Sequence, residues 1–393
     1  MHRNPGPNSG PSSSFVNGDP VAGTPGTIVD GGYMTSVQEE LAGFVEGQGL
    51  TLDVADNTQL QTAILQAITT TGLRNPLINP GFDVWQRGTT ATVSAGGKYT
   101  ADRWFQESSL IGNSTLTTSR VAAAPGDIGV TLPQGTKHFI EIDWAAGGGG
   151  GARGYLEQRI ENVRRYAGKV LNVSFYAKRK NAGTNVLVIP RIVQNFGSGG
   201  SPQVITTGTN QNVLTGVWAR YDTTIAVPTI AGKIIGSSGD DWLGIRLEHD
   251  IPDLSAGGHF AQVEVHVGTA PPPAEIRPTE TELALCMRYF QKSYNVDTAP
   301  GSNAGAGVLH GHDVSGPNIQ PLQRLFPVRM RASPSVVWYA PTGAINRVNV
   351  NTVDEVVTGQ FAQGESSTGY PQVAAFGASA GTVAAHYTAE AEI

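Results

Sequence analysis

From residue 76 to about 270, apolar side chains recur at every second position, and that period leaves few folds open. Leu171, Val173, Phe175 and Ala177 alternate with Asn172, Ser174 and Tyr176, which gives one apolar and one polar face, the pattern of a half-buried strand. Ala219, Tyr221, Thr223, Ile225 and Val227 form a second row. Leu243, Ile245 and Leu247 run against Arg246 and Glu248, and Val263, Val265 and Val267 against Glu264 and His266. Turn-forming clusters at 197–202 and 236–240 punctuate the rows. Short strands without an intervening helical period predict a jelly-roll-like β-sandwich over 76–272. The 50 glycines and 24 prolines among 393 residues supply the turns this needs, and they stay below the ~25–30% that marks low-complexity chains.

The period changes on either side. Residues 1–32 are rich in Pro, Gly, Ser and Asn and read as an extended flexible arm. Val37, Leu41, Phe44 and Val45 then stripe one helix face that ends at Gly47 or Gly49. Leu60, Ile64, Ala67 and Ile68 stripe a second helix, with Asp56 or Asn57 as N-cap and Gln59 placed for a capping box. Residues 33–75 are thus a helical docking region, with Val37, Leu41, Phe44, Leu60 and Ile64 as its docking side chains. Beyond a linker stiffened by prolines 271–273, Thr279 and Glu282 suit a capping box for a helix carrying Leu285, Cys286, Tyr289 and Phe290 and ending near Tyr294. Arg288 and Lys292 suit its C-terminal dipole. The rest of 273–393 reads as a C-terminal β tip domain, with strands at 336–339, 348–350, 373–376 and 383–387. The expected fold class is mainly β: arm, short helical pair, central sandwich, one helix, C-terminal β domain.

Charge and cysteine content narrow the chemistry. A net charge of −6 offers no basic footprint for nucleic acid or an anionic membrane. The helix pair invites a helix-turn-helix reading, but residues 33–70 hold Glu39, Glu40, Glu46, Asp53 and Asp56 and no Lys or Arg, so phosphate would repel it. A single cysteine, Cys286, allows neither an intrachain disulfide nor a zinc ribbon. The first residues lack the apolar core of a signal peptide, and no apolar run approaches the ~18 residues of a membrane helix. A chain that is soluble when made in a reducing cytoplasm is expected.

Few residues suggest catalysis. Glycines 147–151 are not followed by Lys-Ser/Thr, which excludes a P-loop, and no Gly-x-Ser-x-Gly elbow occurs. Cys286 sits beside Leu285 on an apolar face, where a buried thiol is the common fate. Asp240 and Asp241 are adjacent, whereas two acids sharing one sugar must converge at roughly 5–9 Å; they read as caps of a solvent-facing turn. Asp83, Asp102 and Asp143 lie near tryptophans, as in a lectin-like site. The plainer reading places Trp85 and Trp104 in the core with Asp102–Arg103 as a structural ion pair. Trp338, Tyr339, Tyr370 and Tyr387 are expected to be exposed, for stacking on glycan rings or packing at a subunit interface. The candidate ligand-binding set is Trp85, Asp102, Trp104, Trp338 and Tyr339.

A resemblance gives these pieces a context. The Asn79-Pro80-Gly81-Phe82 turn, Trp85, Arg87-Gly88, and Asp102-Arg103-Trp104 resemble the opening of the carbohydrate-binding-like β-sandwich of tail fibres and receptor-binding proteins of tailed bacteriophages. Residues 156–165, 166–170 and 174–178 resemble the same family, and this match is longer and more specific. So do Glu275-Ile-Arg-Pro278, residues 281–294 and 326–336, and in the helical region 37–41, 49–53 and 56–60. The likeness covers most of the chain and is weakest at the extreme N-terminus and beyond about residue 340. It implies a non-enzymatic virion protein and a homotrimer. The N-terminal region would dock to the tail or baseplate, and a glycan or surface protein of the host would be the ligand. In such a trimer His310 and His312, two apart on a strand with Asp313 beside them, would place six imidazoles around one axial metal; a surface loop is the plainer reading. Other readings are a purely structural tail or capsid-decoration protein, and a polysaccharide depolymerase. The latter requires converging acids, and the fixed period of a β-helix is not evident.

Overall fold

The structure, a computed structural model, describes residues 6–8, 14–69, 75–93, 96–109, 115–145, 152–181, 186–251, 257–269, 271, 274–312, 322, 325–357, 359–360, 373–374 and 382–393. It divides into two compact units, Met1–Arg74 with Val267–Ala270, and Asn75–His266 with Pro271–Ile393.

In the first unit the arm folds back on itself. Asp19 and Thr24 exchange backbone hydrogen bonds, and Asp19 Oδ1 accepts from the N–H groups of Val21 and Ala22. Helix α1 (Gly31–Gly47) starts earlier than its apolar stripe, because Asp30 caps it by accepting from Tyr33 N–H at 3.0 Å. Helix α2 (Gln59–Thr69) lacks the expected capping box. Asp56 accepts from the N–H and hydroxyl of Thr58, while Gln59 donates to the Thr51 carbonyl. Val45 and Ala63 are buried, and Leu41, Phe44, Leu60 and Ile64 are exposed. Val37 is half-buried.

The second unit opens with the sandwich. Its strands are β1 (Thr90–Val93), β2 (Gly96–Tyr99), β3 (Phe105–Ser109), β4 (Thr115–Ala122), β5 (His138–Ala145), β6 (Ala152–Glu161) and β7 (Val170–Arg179). They continue as β8 (Val186–Asn195), β9 (Val204–Thr207), β10 (Gln211–Val213), β11 (Ala219–Ala226), β12 (Trp242–Ile251) and β13 (Gly257–Val267). The first sheet runs β1-β4-β5-β13-β7-β11; the second runs β10-β8-β12-β6-β3-β2, with β9 paired to β8. The alternating rows meet between them: Leu171, Val173, Phe175, Ala177, Leu243, Ile245, Val263 and Val265 are buried. Val267 and Tyr221 depart from the expectation, Val267 being exposed and Tyr221 only partly buried against the core. In β13 the inward residues change parity between Phe260 and Val263, because Gln262 takes φ 47° and inserts a bulge. Gly81 lies against that residue, and a Cβ there would stand 2.7 Å from Gln262 Nε2.

The segment that carries the family likeness is a buried hydrogen-bonded knot. Asn79, at φ 56°, donates from Nδ2 to the carbonyls of Val84 and Asp102 and accepts from Val84 N–H. Trp104 Nε1 donates to Asn79 O and Trp85 Nε1 to Phe82 O. The next helix, α3 (Thr279–Met287), locks onto this knot. Glu282 is not the capping-box partner of Thr279: it accepts from Asn79 N–H and from Arg277 Nε, and the N-cap position, Pro278, has no side-chain cap. The helix also stops short of Tyr294. Phe290 to Lys292 form a strand, so Lys292 serves no helix dipole; its buried ammonium donates to the carbonyls of Gln86, Val296 and Thr298. Burial lowers the Lys292 pKa to about 8. Cys286 is fully buried, and burial raises its thiol pKa.

The C-terminal β region comprises β14 (Phe290–Lys292), β15 (Leu309–His312), β16 (Ser335–Tyr339), β17 (Arg347–Val350), β18 (Val353–Val356), β19 (Gly359–Gln360), β20 (Val373–Ala374) and β21 (Thr382–Glu390). Strand β21 pairs with β14, β15, β16 and β17. Its core gathers Met330, Trp338, Val348, Val350, Val383, Ala385 and Tyr387. Buried polar contacts weld this region to the sandwich: Arg103 pairs with Glu392, donates to Arg159 O, and lies 3.4 Å over the Tyr289 ring. Among the described residues no helix is long and apolar enough to cross a membrane.

Candidate functional site

Strand β6 alternates Leu156, Gln158 and Ile160 toward the core with Tyr155, Glu157, Arg159 and Glu161 on the outer face of the second sheet. Register fixes what stands beside them. One row crosses the sheet as Tyr99, Phe105, Glu157, Arg246, Arg191 and Thr207. A second runs Gly97, Glu107, Tyr155, Glu248 and Ile189, and a third Arg159, Gly244, Val193 and Ile205. Partners in register share a face, so aromatic and charged side chains collect on one surface.

Arg246 and Arg191 stand directly opposite one another, a destabilising pair unless each finds a carboxylate. Each does. Arg246 donates to Glu157 Oε2 at 2.8 Å from Nε and 2.7 Å from a terminal nitrogen, and Arg191 contacts Glu248 at 3.1 Å. Glu157, fully buried, also accepts from Arg159 Nε at 3.0 Å. Tyr155 donates its hydroxyl to Glu107. Burial, with that carboxylate, holds the Tyr155 phenol protonated far above its ordinary pKa.

The cations also stack on the rings. The Arg246 guanidinium lies 3.8 Å over Tyr155, and Arg159 lies 4.7 Å over both Phe105 and Trp242. Tyr99 meets Phe105 edge-on at 5.3 Å. Two glycines make room: a Cβ on Gly97 would overlap the Phe105 ring, and one on Gly244 would approach the Trp242 ring to 2.7 Å. At one edge Tyr99 OH and Arg159 donate to the Ile393 backbone oxygen at 2.9 and 2.5 Å. Burial raises the Tyr99 pKa to about 12. Each of these carboxylates is held by Arg or Tyr, and Phe105, Tyr155, Arg159 and Arg246 stay half-exposed. Such a surface offers ring faces and fixed hydrogen-bonding groups to a ligand with hydroxyls and an apolar C–H face.

The residues singled out from sequence stand away from this face. Trp85 and Trp104 are fully buried in the core, as the plainer reading had them, and Trp338 is fully buried too, so no ring face of theirs meets solvent. Asp102 is buried too and pairs with Arg87 rather than Arg103, at 3.1 Å. Burial outweighs that pairing and raises the Asp102 pKa to about 6. Asp83 contacts His138 at 2.8 Å and Asp143 takes Lys180 at 2.7 Å. Tyr387, expected at the surface, is buried, and Tyr339 is half-buried and edge-on to Tyr294 at 6.1 Å. Asp240 caps Ser198 N–H and hydroxyl, which lowers its pKa, and Asp241 accepts from Val163 N–H. His310 is exposed on β15, which His312 ends. Among the described residues no three His, Cys, Asp or Glu side chains gather as a metal site. Tyr370, Asp313, Phe376 and glycines 147–151 lie outside the described residues. Sequence reasoning missed Phe105, Tyr155 and Trp242. The signal was there in the aromatic side chains at outward positions of β3, β6 and β12, where a merely solvated strand face has no need of them.

No family model matches the chain. An uncharacterized protein of Escherichia coli (strain K12), StfP, is 33% identical over 81 residues, 21% of this chain and 36% of that protein. The match thus spans about a third of that relative's length. Among solved structures, the enzymatically active domain of bacteriophage CBA120 tailspike protein 4 aligns with 49% of this chain and 21% of its own at 13% identity, TM-score 0.30. TmCBM61, solved with β-1,4-galactotriose, aligns with 49% of this chain and 99% of its own at 16% identity, TM-score 0.28. A putative sugar binding protein from Bacteroides thetaiotaomicron aligns with 49% and 99% at 14% identity, TM-score 0.31. None of these likenesses is close enough to carry a residue role to this chain.

Proposed function

We propose that this chain is a tail-fibre or receptor-binding protein of a tailed bacteriophage, and that it binds a saccharide of the host surface without cleaving it. The observation that carries the reading is the outer face of the second sheet, where half-exposed Phe105 and Tyr155, with the buried Trp242 ring beneath Arg159, stand among Glu107, Glu157, Arg159, Arg191, Arg246 and Glu248 in register. With its carboxylates already held by Arg or Tyr, this surface suits recognition better than proton transfer. The virion assignment rests on the resemblance carried by residues 76–104, 156–178 and 275–294. In that reading the protein is a homotrimer in the tail, and α1 and α2 dock onto tail or baseplate proteins. The described part of that unit, residues 14–69, holds seven Asp and Glu and no Lys or Arg, beside exposed Leu41, Phe44, Leu60 and Ile64. A partner with an apolar centre and a basic rim fits it.

The test is binding of the purified full chain to an array of bacterial surface polysaccharides, with released oligosaccharide assayed in parallel. Binding that Phe105→Ala weakens about tenfold or more, the weight of one stacked ring, with no sugar released, is the expected result. Released fragments overturn the non-catalytic reading. Absence of binding to every polysaccharide overturns the glycan reading and favours a structural role.

A further inference from the structure

Beside this face a cleft of about 570 Å³ opens between β1 and the β2–β3 edge, with Glu390 of β21 at its border. That volume lies within the ~300–1,000 Å³ of small-ligand sites. Thr90, Lys98, Tyr99, Thr100, Phe105 and Glu390 carry the chemistry of its walls.

We infer that this cleft is a subsite for a pyranose bearing a carboxylate, with Lys98 as the group that selects the charge. The inference rests on the saccharide-binding reading and adds the ligand class. Three features support it. First, Thr100 is buried, and its hydroxyl has no hydrogen-bond partner among the described residues. A buried hydroxyl left so is costly unless a ligand or water meets it. Second, the two cations at the cleft differ in commitment. Arg87 is taken up by Asp102 at 3.1 Å and by Glu390 and Glu392 at 3.2 Å, and its guanidinium lies 3.8 Å over the Phe290 ring. Lys98 is exposed, and among the described residues no carboxylate stands within ion-pair distance of it. Third, Phe105 and Tyr99 belong both to the cleft and to the first row of the face. A chain of sugars lying on the face therefore continues into the cleft. There the rings meet the C–H face of a pyranose, Lys98 its carboxylate, and Thr100 with the second oxygen of Glu390 its hydroxyls.

The test prints acidic bacterial polysaccharides on one array, each in native form and with its carboxylates chemically reduced to alcohols, beside neutral polysaccharides. The full chain is probed with Lys98→Gln, Thr100→Val and a distant control, Lys169→Gln, after thermal melts confirm that each variant folds. The expected result is a preference of about tenfold for native over reduced forms, the scale of one charge-assisted contact. Lys98→Gln abolishes the preference, whereas Lys169→Gln leaves both the preference and neutral binding unchanged. Thr100→Val weakens both forms. Equal binding of native and reduced forms, or a preference that survives Lys98→Gln, overturns the subsite while leaving the saccharide-binding reading intact. No binding to any polysaccharide overturns the saccharide-binding reading itself.

Discussion

The two outer faces of the sandwich use the same ingredients and put them to different ends. On the first sheet Phe139 and Trp218 meet edge-on at 5.1 Å, Lys178 lies 4.8 Å over Trp218, and Trp218 Nε1 donates to Asp127 at 2.9 Å. Ala123 and Leu132 pack with them, so Phe139 and Trp218 are only 5% and 4% exposed. On the second sheet Phe105 and Tyr155 also lie against cations, yet both stay half-exposed. Asp127 sits in the 123–137 connection between β4 and β5, which supplies that cover. An aromatic beside a cation is therefore not by itself a ligand site. What packs over the ring decides whether it is core or surface.

Substitution breaks the comparison most sharply at Trp218. Trp218→Ala is expected to cost about 3–5 kcal/mol of stability, as large-to-small changes in a packed cluster do, and to leave saccharide affinity of the folded protein unchanged. Denaturant titration paired with array binding measures both. A binding loss in folded Trp218→Ala would move the ligand to the first sheet. The next effect lies between the sheets. His249 is fully buried, neither ring nitrogen has a hydrogen-bond partner among the described residues, the ring stands edge-on to Trp144 at 5.4 Å, and burial lowers its pKa to about 3. The folded state thus holds a neutral imidazole that the unfolded chain protonates below its ordinary pKa of about 6.5. The stability contributed is whole above pH 6.5 and is lost as pH falls toward 3, by about 2 kcal/mol at pH 5. His249→Phe should flatten that acid slope in thermal melts taken from pH 7.5 to 4.5, and an unchanged slope would refute the assignment. Phe105→Ala is the counterpart on the open face. A half-exposed ring should cost only about 1–2 kcal/mol of stability while removing most of the binding, the reverse of Trp218→Ala.

These contrasts also mark how far the sequence could be read. The two-residue period located the strands of the sandwich because one of their faces is buried, as Leu171 to Ala177 and Leu243 to Leu247 are. It could not distinguish the two outer faces, since Phe139 and Phe105 both stand at outward strand positions beside a cation and only the 123–137 connection closes over the first. Trp85, Trp104 and Asp102 attracted a functional reading because aromatic and acidic residues close in sequence resemble a sugar site. They serve instead the Asn79 knot and the Arg87 pairing, which depend on partners up to some 300 residues away, such as Glu390 and Glu392. The helix at 279 illustrates the same limit. A local capping box was legible, yet Glu282 finds a stronger use across the fold at Asn79 and Arg277.

The smallest expected effect on stability belongs to the helical unit, and it extends the contrast to apolar side chains. Val45 is buried in α1 and Ala63 in α2, while Leu41 and Phe44 on α1 are 46% and 39% exposed. A side chain with that much surface open contributes little to the fold of its own unit, so Leu41→Ser should change stability by no more than about 0.5 kcal/mol. Val45→Ser, which buries a hydroxyl in an apolar contact, should cost several times as much. If the exposed stripe serves docking, Leu41→Ser combined with Phe44→Ser leaves the thermal melt of the free protein unchanged yet prevents its incorporation into particles in a complementation assay. A comparable loss of stability from Leu41→Ser and Val45→Ser would place the stripe within the unit's own packing. The acidic rim then sharpens the reading: a docking contact guided by charge weakens as salt is raised.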